Sequence, residues 1–237
     1  MSEARVVVLT GAGVSADSGL ATFRDADGLW EGHRPEEVAT PRAWARDPAM
    51  VWRFYQTRRA ALGAVEPNDG HRALVRLEEE LGRRGADFTL VTQNVDDLHE
   101  RAGSAAPIHM HGELANLRCE PCGNVERDLD RVDASEFLDC ASCGGRLRPD
   151  VVWFGEVPYH LEAIGDALRT ATHFLALGTS GAVYPAAGFL AEARRRGART
   201  WVQALERPDN ADPRDTFVPG RAAQRLPTLV DTLLAEL

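Results

Sequence analysis

The chain has 237 residues, 44% hydrophobic and 27% charged, the balance of a soluble globular protein. Its formal net charge of −9 argues against a nucleic-acid partner, because such binders present a basic surface. No apolar run approaches the roughly 20 residues of a membrane span and no leader-like segment precedes the first strand, so a cytoplasmic protein without a membrane partner is expected.

Arg5–Thr10 (RVVVLT) is a short apolar run rich in β-branched valine, the pattern of a buried parallel strand. It runs into Gly11, Ala12 and Gly13, then Ser15, Ser18 and Gly19. Glycines let the backbone turn and approach a ligand closely. A helix beginning near Val14 would aim free N–H groups and its positive dipole end at a phosphate. The predicted feature is a nucleotide cradle; the alternative is a plain strand–turn–helix without a ligand. Gly11-x-Gly13-x-x-Ala16 fits the dinucleotide fingerprint, but that match alone is weak. A dehydrogenase needs a second strand ending in an acidic residue about 20 positions on. Here Ser18–Gly28 reads instead as a polar loop, carrying Phe23 to cover a ring and Arg24 to pair with a phosphate or anchor the loop.

Trp44–Leu62 is predicted to be helical. Tyr55 and Arg58 are three apart and share a face. A hydroxyl and a guanidinium fork together can hold a carboxylate; the alternative puts Tyr55 in the core and Arg58 in solvent beside Arg59. Further helices are predicted near His71–Leu81, Leu161–Arg169, Tyr184–Arg196 and Leu226–Leu237. Strands are predicted at Phe88–Thr92, Asp150–Phe154, Thr172–Leu177 and Arg199–Ala204. This alternation implies an α/β fold, a Rossmann-like parallel sheet with right-handed crossovers and helices on both faces. A smaller lobe of the zinc ribbon described below and the Trp44–Leu62 helix would cover its carboxyl edge.

The Phe88–Thr92 strand leads into Gln93, Asn94, Val95, Asp96 and Asp97. Polar groups at the carboxyl end of a parallel strand lie where open α/β sheets bind ligands. Gln93, Asn94 and Asp96 could read ribose hydroxyls and a carboxamide, and Asn94 and Asp96 equally suit a helix cap. Farther on, His111 precedes Gly112 at a strand end and is the candidate general base, while His109 would point the opposite way.

All four cysteines fall in one window, Cys119-x2-Cys122 and Cys140-x2-Cys143, separated by 17 residues. Two such knuckles match a zinc ribbon, and four thiolates close the coordination sphere, so the metal would be structural. The Asn124–Asp139 segment between them is acidic and expected to face solvent.

In order along the chain, GAGVSADSGLATFR, TQNVDDLH, His111-Gly112, the paired cysteines, Arg148–Glu156 (RPDVVWFGE) and Gly178-Thr179-Ser180 resemble the sirtuins, the NAD-dependent protein lysine deacylases, and among them the bacterial deacetylase and desuccinylase subgroup. The likeness runs from about Val6 to the final helix. It implies one catalytic domain over 1–237. The large lobe would comprise about 1–31, 64–112 and 150–237, and the small lobe a helical insertion of about 32–63 and a zinc ribbon of about 113–149.

The resemblance also implies the chemistry. In sirtuins the acyl-lysine carbonyl oxygen attacks the anomeric carbon of the nicotinamide ribose and nicotinamide leaves. The residue matching His111 deprotonates a ribose hydroxyl, and the products are lysine and O-acyl-ADP-ribose. By this likeness Gly11–Trp30 wraps the cofactor, Asn94 and Asp96 line the nicotinamide end with Val95 between them, and Gln93 contacts ribose. Gly178, Thr179, Ser180, Ala204, Leu205, Glu206 and Ala222 complete the NAD site. Val152, Trp153, Phe154, Gly155 and Glu156 face Gly181–Tyr184 across a cleft in which the acylated peptide lies as an added strand. Trp153 and Phe154 would wall the lysine tunnel, or pack in the core. Tyr55 and Arg58 match the pair that the succinyl- and malonyl-preferring branch places in the acyl pocket. Two positions depart from the family: Ala21 stands where many relatives have proline, and Ala204 where asparagine usually touches the adenosine ribose. Two other enzymes, an oxidoreductase and an ADP-ribosyltransferase on a similar scaffold, are the rival readings, together with a zinc-ribbon binding module.

Overall fold

A computed structural model describes residues 4–21, 30 and 32–237. Its strands are β1 (Arg5–Thr10), β2 (Asp87–Thr92), β3 (Ile108–His109), β4 (Gly112–Cys119), β5 (Val125–Arg127), β6 (Leu147–Val151), β7 (His173–Leu177), β8 (Arg199–Ala204) and β9 (Thr216–Pro219). Its α-helices are α1 (Pro35–Val38), α2 (Pro41–Arg46), α3 (Pro48–Leu62), α4 (Asp69–Arg83), α5 (Leu98–Ala102), α6 (Leu161–Thr170), α7 (Phe189–Arg195) and α8 (Ala222–Glu236).

Six strands form one sheet in the order β3-β2-β1-β7-β8-β9, and every pairing is parallel. The apolar run of β1 is explained by burial on both faces. Val6 and Val8 meet Leu74 and Leu77 of α4 and Leu226 and Leu233 of α8. Val7 and Leu9 meet Ile164 and Leu168 of α6 and Leu190 of α7. Strand order reverses between β1 and β7, and at such a switch point the carboxyl ends of the strands open a ligand crevice. A second, antiparallel sheet, β5-β4-β6, packs with α3 around Trp44, Trp52, Tyr55, Leu114, Leu147 and Trp153.

Four local expectations are corrected. The helix expected near Val14 is replaced by two 3-10 turns, Ala12–Val14 and Ala16–Ser18, the second ended by Gly19 in the left-handed region, while the Gly13 N–H donates across the crevice to Gly178 O at 2.8 Å. The Trp44–Leu62 helix is two helices broken at Asp47-Pro48: proline starts α3 and the Asp47 carboxylate caps the Met50 N–H at 2.9 Å. The helix expected from Tyr184 starts at Phe189, after a 3-10 turn over Ala186–Gly188, since a residue before proline disfavours helical backbone. The strand expected at Asp150–Phe154 is Leu147–Val151, and it pairs antiparallel with β4 outside the parallel sheet. The chain then turns at Phe154 and Gly155.

Candidate active site

The crevice is closed at its base by backbone alone. Gly11 N–H donates to Leu177 O at 3.0 Å and Gly178 N–H to Gln203 O at 2.8 Å. A Cβ on Gly13 would sit 2.8 Å from Gly178 O, so the two loops touch only because side chains are absent. Ala12 and Ser15 follow on the first loop, and Gly19 ends it in the left-handed region with φ 95°. Phe23 and Arg24 lie outside the described residues. Thr179 and the exposed Ser180 stand on the facing loop, where the Gln93 amide donates to Thr179 Oγ1 at 3.1 Å.

Asn94 is buried, and its amide donates to Gly11 O at 3.2 Å and Ser15 Oγ at 3.1 Å. It therefore holds the glycine loop and caps no helix. Asp96 Oδ1 accepts the Leu98 N–H at 3.2 Å at the start of α5, and burial pushes its carboxyl above the ordinary range. Val95 O accepts the Leu114 N–H at 2.7 Å, tying this loop to β4.

His109 ends β3 while His111 lies in the turn between β3 and β4, so the expected strand alternation does not separate them; they differ instead in their partners. His111 Nδ1 lies 3.1 Å from Gln93 O. A carbonyl only accepts, so Nδ1 carries the proton and Nε2 presents a lone pair. Burial holds this imidazole below its usual range, only partly offset by that hydrogen bond, so it is neutral near pH 7. His109 lies 3.2 Å from Asn94 O and 2.6 Å from Glu100 Oε1. Burial lowers it, but the Glu100 carboxylate outweighs this and leaves it raised. The His111 carbonyl accepts the Val152 N–H at 2.8 Å, which fixes the Val152–Glu156 segment against the histidine.

At the far end of the crevice, Ala204 O accepts the Gly220 N–H at 3.0 Å. Leu205 and Glu206 are exposed, and Ala222 is buried in the first turn of α8. Gln203 Oε1 is buried without a partner among the described residues, while its amide donates to Gly220 O at 2.6 Å. This acceptor, the exposed Leu205 and the glycine-lined base suit an adenosine and a diphosphate.

On the other side, Trp30, Phe54, Tyr55 and Trp153 form an aromatic nest around Arg58, whose guanidinium lies 4.3 Å over the Trp30 ring. Trp30, expected with the cofactor loop, thus packs against the acyl-pocket candidates. The Trp153 indole donates to Tyr55 Oη at 3.0 Å. Trp153 is buried, whereas Phe154 is 43% exposed, so only the second keeps a large surface for a ligand. Glu156 is clamped by Arg148 through bonds of 2.8 and 2.9 Å, and Gly155 makes the turn before it.

The four cysteine sulfurs lie within 4.8 Å of one another, with Cys119 and Cys143 at 3.4 Å and Cys122 and Cys140 at 3.8 Å. Tetrahedral thiolates about 2.3 Å from zinc sit near that spacing. Both knuckles close by a backbone bond, Gly123 N–H to Cys119 O and Gly144 N–H to Cys140 O, leaving the thiols converged; the set suits a structural zinc.

Sequence reasoning missed the polar layer under the glycine loop. Asn68 donates to Val14 O at 2.8 Å and Ser18 Oγ at 2.9 Å, His71 lies 3.4 Å from Ser15 Oγ, and His99 lies 3.0 Å from Thr10 Oγ1. Nothing in the spacing of these residues signals that they converge.

Residues 11–185 match the Sir2 family. The chain belongs to that family. It is 52% identical to an NAD-dependent protein deacylase of Caulobacter vibrioides over 235 residues, covering 98% of both chains. It is 48% identical to an NAD-dependent protein deacylase of Salmonella typhimurium, covering all of this chain and 86% of that one. Among solved structures, a mutant Sir2 homologue in complex with 2′-O-acetyl-ADP-ribose aligns with a TM-score of 0.91 at 38% identity, covering 100% of this chain and 94% of that one. A Sir2 homologue in complex with NAD aligns at 0.88 and 38% identity, covering 99% and 91%. The Rossmann-like parallel sheet and the cysteine cluster of this sirtuin are what its sequence resemblance implied.

Proposed function

We propose that this sirtuin is an NAD-dependent protein lysine deacylase that removes succinyl and malonyl groups as well as acetyl groups. The observation that carries the reading is His111: a neutral imidazole whose Nδ1–H is fixed on Gln93 O, leaving Nε2 to accept a proton at the crevice. NAD supplies an electrophilic anomeric carbon and nicotinamide as leaving group. Gly11–Gly19 and Gly178–Ser180 would hold the diphosphate, Gln93–Asp96 the nicotinamide ribose, and Ala204–Glu206 with Ala222 the adenosine. Asn94 orients the glycine loop, and His111 Nε2 takes up the proton of a ribose hydroxyl. Holding a weak acyl oxygen in line with its target is the larger part of the catalysis. Expected products are nicotinamide, free lysine and O-acyl-ADP-ribose.

The peptide would lie as an added strand between Val152–Glu156 and Gly181–Tyr184. Phe154 on the first segment, Val157 just past its end and Tyr184 on the second are 43%, 75% and 76% exposed, apolar surface that favours an extended segment of little sequence demand. Tyr55 and Arg58 would hold the carboxylate of a dicarboxylic acyl group. The test is to mix the protein with acetyl- and succinyl-lysine peptides, each with and without NAD. Nicotinamide release should require both partners. Arg58→Met should cut desuccinylation far more than deacetylation, and an unchanged ratio would remove the carboxylate clamp from the reading.

A further inference from the structure

Tyr55 is fully buried, and its hydroxyl oxygen is occupied. The indole of Trp153 is donor-only, so at 3.0 Å it gives its N–H to Tyr55 Oη. The phenolic proton must then point away from Trp153. Among the described residues its only hydrogen-bond partner is that indole, so the donor capacity of a buried hydroxyl is unused, and such capacity is normally satisfied. The hydroxyl lies within the field of Arg58, and burial keeps it protonated.

Trp153 is itself held at its ring and at its backbone. The Arg148 guanidinium lies flat over its ring, 3.6 Å from the centroid. Arg148 is fixed by a two-pronged bond to Glu156 and by donation to Val151 O at 2.9 Å. The Trp153 backbone N–H donates to Glu156 Oε2 at 2.8 Å. Glu156 therefore sets both the backbone of Trp153 and the cation that pins its ring. A planar guanidinium does this where a lysine would not.

We propose that Trp153, braced by Arg148 and Glu156, is a positioning residue for acyl selection: its indole occupies the Tyr55 oxygen and turns the Tyr55 O–H toward the acyl pocket as a donor to a terminal carboxylate. This rests on the Tyr55–Arg58 clamp proposed above. It adds that selectivity is set by a residue that does not touch the carboxylate.

The test compares succinyl-lysine with butyryl-lysine peptide, which has the same number of acyl carbons and no carboxylate. The ratio of their kcat/KM values on one preparation is independent of how much enzyme is folded. Trp153→Phe keeps a ring and removes the N–H. It should lower the succinyl-to-butyryl ratio about fivefold, the worth of one net hydrogen bond, mostly as a higher KM for the succinyl peptide. In a Tyr55→Phe background the same change should leave the ratio unmoved. Arg148→Lys, which loses the fork and the flat stack, should shift the ratio in the same direction by less. Equal losses on both peptides, or an undiminished effect in the Tyr55→Phe background, would overturn the positioning role while leaving an Arg58-dependent clamp intact. A wild-type protein whose succinyl-to-butyryl ratio is insensitive to Arg58→Met overturns the clamp, and the positioning role with it.

Discussion

His111 shows how one hydrogen bond selects a chemical role. Its Nδ1–H is committed to a backbone carbonyl, so Nε2 is the nitrogen left with a lone pair for the proposed base role. His111→Ala should lower kcat about 10²- to 10⁴-fold on any acyl peptide, the range of a lost general base, with nicotinamide release as the readout. The pH dependence has a defined sign. The base works unprotonated and its pKa is held below 6.5 by burial, so kcat/KM should be flat through neutrality and fall only as pH drops below that value. An acid limb centred above pH 7 would contradict the assignment. His109, two residues earlier, is disqualified by its carboxylate partner, which raises it. The residue types and their spacing were legible in the sequence; which imidazole is buried neutral and which is paired depends on Glu100, nine positions away in the chain and 2.6 Å away in space.

At the scale of elements, β4 joins the histidine to the cysteines, and its first residue is decisive. Gly112 has φ 77°, and a Cβ there would lie 2.0 Å from Asp150 O. Gly112→Ala should therefore destabilise the protein by more than about 1 kcal/mol and displace β6, measured by urea unfolding and by loss of deacylation together. The cysteines fix the other end of β4. Cys140→Ser should abolish stoichiometric zinc and lower the melting temperature, because metal binding energy is folding energy in such sites. The central strands β1 and β7 were readable because burial on both faces demands near-continuous apolar runs, VVVL and FLAL. β3 and β9 were not, being two and four residues long. β5 is a short strand whose first and last residues are exposed. The break before α3 carried a signal, Asp47-Pro48, outweighed by the apolar periodicity on either side.

For the whole molecule, the buried histidines couple the cofactor loop to the stability of the fold. His71 and His99 have ring centroids 4.9 Å apart under the glycine loop. Burial lowers His71 to about 4 and His99 well below its usual value. Both are neutral when folded, while in the unfolded chain each binds a proton near pH 6.5. Between those values the unfolded state holds more protons, so stability rises with pH and is lost as pH falls from 6.5 toward 4. At pH 5 the loss from His71 alone is roughly 2 kcal/mol. Urea unfolding at pH 7 and pH 5 measures it, and His71→Gln should flatten the decline.

The amino-acid sequence by itself determined the parallel α/β core, the glycine loop, the cysteine knuckles and the candidates His111, Asn94, Tyr55 and Arg58, because each depends on local chemistry: burial period, backbone freedom or ligand spacing. Tertiary structure alone decided that Asn94 holds the loop, that Trp153 reaches Tyr55 from 98 residues away, and that β6 leaves the main sheet to pair with β4. Those outcomes are contacts between segments remote in the chain, and no spacing within one segment encodes which surfaces will meet.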